Sequence, residues 1–287
     1  MNPKTKIARL SVASNSLLIV MKLVVGIISG SVSIISEAIH SSMDLLAAII
    51  AFFAVKVSDT PPDEKHPYGH GKIENISGVI EGILILVAAA LIISEAVKKL
   101  MGESFEIEAV GIGAAVMFVS AVVNTIVSRR LYKVARETSS VALEADALHL
   151  KTDVYTSLGV AAGLGLIMLT GITWLDPVIA ILVALFIVRE SMILLGKAFF
   201  PLLDTSWDKE EIRELEDNLG RMKVNYHDLR TRIAGNYRFI DIHVEIPEYE
   251  SVGNAHIYCD SIEDELKSIY KNLTVTIHVE PDNGKNS

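Results

Sequence analysis

Cysteine is nearly absent from this 287-residue chain, where Cys259 stands alone. A single thiol excludes an intramolecular disulfide framework and any metal site built on thiolate clusters, and it suits a reducing compartment on the side where residue 259 lies. No nucleophile elbow or phosphate-binding loop accompanies the histidines, so the sequence reads as something other than a hydrolase. No cleavable leader is expected either: Asn2-Pro-Lys-Thr-Lys-Ile-Ala-Arg9 runs into an apolar stretch of about one membrane span, which predicts a retained first helix. Positive charge is scarce in one region only. Residues 204–287 carry 18 Asp and Glu against 10 Lys and Arg, whereas residues 1–203 carry 17 against 16, so −8 of the net −9 belongs to the tail. An acidic tail repels nucleic acid and concentrates cations.

Apolar sequence is abundant. Hydrophobic residues make up 51% of the chain and the mean hydropathy is +0.41, which indicates a membrane protein. The long apolar runs stop near Asp204, giving a membrane domain over 1–203 and a water-soluble domain over 204–287. Six stretches approach the roughly 20 residues that a helical span requires: 10–30, 32–57, 75–97, 108–128, 142–170 and 175–199. Lys4, Lys6 and Arg9 precede span one, Lys65 and Lys72 follow span two, and Arg129, Arg130, Lys133 and Arg136 lie between spans four and five. All fall on one side, with Lys98 and Lys99 dissenting, so both termini are expected in the cytoplasm of a protein in the inner (plasma) membrane.

Ionisable residues inside spans are costly and mark function. Two pairs repeat one pattern: His40-Ser-Ser-Met-Asp44 in span two and His149-Leu-Lys-Thr-Asp153 in span five. A spacing of four places each His and Asp on one helical face, a turn apart, and two such faces can close around one ion. Imidazole and carboxylate together suit Zn²⁺, and the carboxylates offset its charge. Packing alone gives no reason for identical types at identical spacing. Glu37 and Asp146, one turn before each His, are candidates to orient the rings.

The remaining histidines also lie near carboxylates. His66 and His70 fall in Asp63-Glu-Lys-His66-Pro-Tyr-Gly-His70-Gly-Lys72, and His227, His243, His256 and His278 fall in the tail. With six spans, the two HxxxD pairs, this loop, and the tail segments Ile242-His243-Val-Glu, Ala255-His256 and Ile277-His278-Val-Glu280, the sequence resembles the cation diffusion facilitator family over nearly its whole length. The resemblance implies a homodimeric antiporter in the lipid bilayer, exporting Zn²⁺ or a related divalent ion against protons. It implies a transport site at His40, Asp44, His149 and Asp153, where His40 replaces the Asp of some bacterial members and is associated with zinc preference. It further implies a loop site at Asp63, His66 and His70, and a tail site at His227, His243, His256 and His278 with Glu280 where Asp is familiar. Lys72 and Asp204 match positions that pair charges. A membrane-anchored metal sensor and a channel are the competing readings, and Cd²⁺, Fe²⁺, Co²⁺ and Mn²⁺ compete with zinc as the ion.

The tail itself predicts a small α+β domain of order αββαβ, metallochaperone-like. Thr205 to Gly220 reads as a helix with Ile212, Leu215 and Leu219 inward. His227 to Ala234 and Phe239 to Ile246 alternate like strands about the Gly235-Asn236 hairpin signal. A second helix over 251–270 is expected to turn Ile257, Ile262, Leu266 and Ile269 inward, followed by a strand from Leu273 to Val279.

Overall fold

The computed structural model describes residues 2–29, 32–101, 112–170 and 174–282; the side chains of 29, 32, 33, 36, 37, 40, 112–114, 160–168, 170 and 176 fall outside that description. The chain divides into two compact units, Met1–Phe199 and Phe200–Ser287.

The first unit consists of long helices: α1 (Pro3–Ser29), α2 (Val32–Ser58), α3 (Lys72–Leu100), α4 (Ile112–Thr138), α5 (Val141–Thr170) and α6 (Leu175–Phe199). Helices α1, α3 and α6 and the Ser41–Ser58 part of α2 are long and apolar enough to cross a membrane. Helices α4 and α5 reach 27 and 30 residues but carry more charge. Several charged residues are buried inside this unit while large apolar side chains face outward, as expected of a protein solvated by lipid. Glu74, Glu81 and Asp146 are completely buried, while Ile28, Leu91, Phe118 and Leu182 are exposed.

Helix α4 corrects one expectation. Arg129 to Arg136 is not a loop but its last turns, because Lys and Arg are good helix formers and nothing before Ser139 interrupts them. The bend to α5 is confined to Ser139 and Ser140, with Ser139 at φ 50°.

Two apolar clusters share α5. Its Ala142, Leu143, Ala147 and Leu150 pack with residues of α1, α2 and α4, whereas Ala145 and Leu148 pack with α3 and α6. Helices α3 and α6 approach closely through Gly78 and Gly82, a small-xxx-small pattern. A Cβ on Gly78 would lie 2.9 Å from Val141 Cγ1 and 3.0 Å from Ala198 Cβ. Ser191 Oγ donates to the Gly82 carbonyl at 2.7 Å and Asn75 Nδ2 to that of Ala198 at 3.2 Å. Glu74 joins several elements at one end. Its carboxylate accepts from Lys4 Nζ at 2.8 Å, from Ser58 Oγ at 2.7 Å and from Ser140 Oγ.

The second unit begins with a 3-10 turn, Phe200–Leu203, and continues as α7 (Lys209–Arg221), β1 (Tyr226–Ala234), β2 (Tyr237–Pro247), α8 (Val252–Ile269) and β3 (Leu273–Asp282). This is the expected αββαβ order. Strand β2 is central, antiparallel to β1 and parallel to β3. Strand alternation sends Ile240, Ile242, Val244 and Ile246 to one face, where they form a core with Leu215 and Leu219 of α7 and Ile262 and Leu266 of α8. Ile257 and Ile269 do not point inward as expected, being 68% and 40% exposed. The helix is set by Ala255, Tyr258, Ile262 and Leu266, which follow the i, i+3, i+4 repeat of a buried stripe. The opposite sheet face bears Asp241, His243 and Glu245.

Candidate metal centres

Among the described residues, three groups of side chains bring ligand atoms within 4.8 Å of one another. The first lies within the helical unit. Asp44 comes from α2, and His149 and Asp153 are a turn apart on α5, so the two faces meet as their spacing requires. His149 Nε2 is 3.0 Å from Asp44 Oδ1, and Asn124 Nδ2 of α4 donates to Asp153 Oδ2 at 3.4 Å. Two ligands about 2.0 Å from a tetrahedral zinc ion stand about 3.3 Å apart, so the Asp44–His149 separation requires an adjustment of only a few tenths of an ångström. The site borders a cavity of about 220 Å³ whose lining includes Asp44, Asp153, Asn124, Ser41 and Lys22. The side chains of His40 and Glu37 lie outside the described residues. Asp146 is fully buried, close to Ser11 and His149, with no hydrogen bond to the His149 ring among the described residues. Asn124 and Lys22 were not legible as neighbours of the site because they come from other helices.

The second group occupies the turn between α2 and α3. Gly69, at φ 84°, permits the reversal, and its N–H donates to the His66 carbonyl at 2.9 Å. Asp63 Oδ1 accepts from the backbone N–H groups of Lys65 at 2.9 Å and His66 at 2.6 Å. The His66 bond, with help from Lys65, holds the Asp63 carboxyl below its usual range against the opposing effect of desolvation. His66 Nδ1 and His70 Nε2 lie 3.2 and 3.4 Å from the two Asp63 oxygens. His70 Nδ1 faces the Thr60 carbonyl at 3.3 Å, which leaves Nε2 directed at the carboxylate.

The third group crosses the tail sheet. Register places His227 of β1 opposite His243 of β2, and His243 opposite His278 of β3. Neighbouring ring centroids are 5.2 and 4.7 Å apart. Glu280, two residues beyond His278 and so on the same face, approaches all three: His243 Nδ1 at 3.0 Å, His227 Nε2 at 3.4 Å and His278 Nε2 at 3.5 Å. Glu245, in register with Glu280, lies 3.1 Å from His227 Nδ1. Sequence reasoning missed it, although its place two residues after His243 repeats that of Glu280 after His278. His256 is not brought to this row; it stands 75% exposed on α8, 3.6 Å from Asp260. Asp204 accepts from Arg232 at 3.4 Å within its own unit.

Known proteins align with both units. The cation efflux transmembrane domain matches residues 8–203, well over half of the chain. The chain belongs to the cation diffusion facilitator family of metal cation efflux transporters. The cytoplasmic domain of cation efflux proteins matches residues 207–282. An uncharacterised transporter of Synechocystis sp. is 35% identical over 88% of this chain and 83% of its own. The cation-efflux pump FieF of Shewanella oneidensis is 31% identical over 96% of this chain and 93% of its own. A solved structure of CzrB in its zinc form covers 29% of this chain and 98% of its own, at 32% identity and a TM-score of 0.26. As a cation diffusion facilitator the protein is a membrane transporter of cations and not an enzyme.

Proposed function

We propose that this transporter exports Zn²⁺ in exchange for protons, binding the ion at His40, Asp44, His149 and Asp153. The reading rests on one observation above the others: His149 and Asp44, from different helices, stand 3.0 Å apart with Asp153 beside them inside the helical unit. Adding His40, four residues before Asp44 on the same helix, gives two imidazoles and two carboxylates, a donor set that tetrahedral zinc accepts. Metal binding requires neutral imidazole and ionised carboxylate, so protons and metal compete for one site and their flows are coupled. Helix α5 packs on both apolar clusters, which suits alternating access by rocking of α3 and α6 against the other helices.

In the same reading both termini face the cytoplasm of the inner membrane. Residues 204–287 bind metal at His227, His243, His278 and Glu280, and link two copies as a homodimer. His256 contributes outside the row, and Asp63, His66 and His70 form an accessory site. The test is metal-by-metal uptake into proteoliposomes with an imposed pH gradient. Wild type should accumulate Zn²⁺ as a function of the gradient, while Asp153→Ala should fall to the level of empty liposomes. Transport by Asp153→Ala at the wild-type rate would sink the site assignment, and gradient-independent flux would sink antiport. In the same assay His40→Asp should change the ranking of metals.

A further inference from the structure

A cavity of about 970 Å³ opens on the helical unit between α4, α5 and α6, and none of its lining residues is one assigned to metal. Its charges are unequal. Arg129, Lys133 and Arg136 of α4, Lys151 of α5 and Lys197 of α6 line it, together with Glu137, Glu144 and Glu190. Each glutamate already has a cation: Glu137 has Lys133 at 3.9 Å, Glu144 has Lys197 at 2.7 Å and Glu190 has Arg189 at 2.5 Å. Arg129, Arg136 and Lys151 remain, with no carboxylate in ion-pair range among the described residues. Lys151 is the most telling of them. It sits between His149 and Asp153 in sequence, yet its ammonium lies 5.5 Å from the Tyr132 ring centre and 5.3 Å from that of Tyr155. Two tyrosine faces hold the cation without neutralising it.

We propose that this cavity binds the phosphodiester headgroup of an anionic membrane lipid, with Arg129, Arg136 and Lys151 as its cationic contacts. Basic pockets between membrane helices recognise such headgroups, and tyrosine favours the same boundary. The apolar part of the lining supports a lipid over a dissolved anion: it includes Val154 and Leu158, and Leu158 is 59% exposed, giving an acyl chain a surface that free phosphate would leave uncovered. The cavity has the size of an ordinary small-molecule site, roughly 300–1,000 Å³. Because Lys151 shares α5 with His149 and Asp153, a lipid here steadies the helix that presents two transport ligands.

The experiment is native mass spectrometry of the full chain in mild detergent with equal amounts of phosphatidylglycerol and phosphatidylcholine. Wild type should retain phosphatidylglycerol preferentially, and each of Arg129→Gln and Lys151→Gln should weaken that retention by about fivefold, the usual weight of one cation at an anionic surface. Arg136→Gln, at an exposed position, supplies the same comparison if either of those variants melts early. Millimolar inorganic phosphate should not displace the lipid. Equal retention of the two lipids, undiminished retention by the variants that fold, or displacement by phosphate, which would mark a site for soluble anions, each overturns the proposal.

Discussion

His227 faces His243 across the first two tail strands because Asp228 is bulged out beside it. From Ala234–Tyr237 to Arg230–Asp241 the pairing is continuous, and continued without interruption it would put Asp228 opposite His243. The register shifts between His227 and Arg230, and Asp228 adopts φ 49°. The extra residue turns the imidazole onto the face that bears Glu280.

Asp228→Val should therefore lower zinc affinity in the tail about as much as His227→Ala, since a β-branched residue resists positive φ. Asp228→Gly should bind as wild type does. Calorimetric titration of the full chain in detergent, in an Asp153→Ala background to silence the transport site, distinguishes these outcomes. Equal affinity in the Val and Gly variants would contradict the role given to the bulge.

Glu74 is wholly buried and Lys4 is 2% exposed. Lys4 Nζ also pairs with Asp59 at 2.6 Å, so Glu74→Ala leaves the ammonium one carboxylate and strands the Ser58 and Ser140 hydroxyls, at an expected cost of about 1–3 kcal/mol. A Lys4→Met, Asp59→Asn, Glu74→Met triple variant should recover most of that loss, because no uncompensated charge remains. Thermal melts in detergent read both, and a triple variant less stable than Glu74→Ala would refute the account.

Gly78 and Gly82 should separate cleanly. Gly78→Val meets Val141 and Ala198 in the tightest part of the helix contact and should cost about 1–3 kcal/mol by overpacking. Gly82→Ala has its nearest neighbour, Leu195 Cδ1, at 3.4 Å and should be tolerated. Similar melting temperatures for the two would place the α3–α6 contact elsewhere.

The Asp63 carboxyl, held low mainly by the His66 N–H, sets a pH expectation for the loop. A lowered carboxyl contributes order fully above its unfolded value of about 3.9 and loses it as pH falls through the folded value. The His66 amide resonance of the full chain should therefore titrate with a midpoint below that of an unrestrained aspartate. A midpoint at or above about 3.9 would show that the turn does not hold the carboxylate.

The sequence disclosed features whose cause is local. Apolar runs announced the helices, and a spacing of four residues announced that His149 and Asp153 share a face. Tail strands followed from alternation about Gly235-Asn236. What stayed hidden depended on distant partners or on local chemistry that fits two states. Lys4 and Glu74 are 70 residues apart. Arg129 to Arg136 mark the edge of the apolar run equally well whether helical or looped. On α8 apolar residues occur on both sides, so type alone could not choose Leu266 over Ile269.

The histidine row lies on the sheet face that α7 and α8 leave open, whereas Ile240, Ile242 and Val244 build the core from the other face. Foldability and ligand choice are thus written at alternating positions of the same strand. The tail can exchange one donor for another, as Glu280 for Asp, without touching the residues that keep it folded. In the proposed reading, a change of donor in the tail acts on metal preference alone, whereas a change at the buried Asp44 also disturbs the helices packed around it.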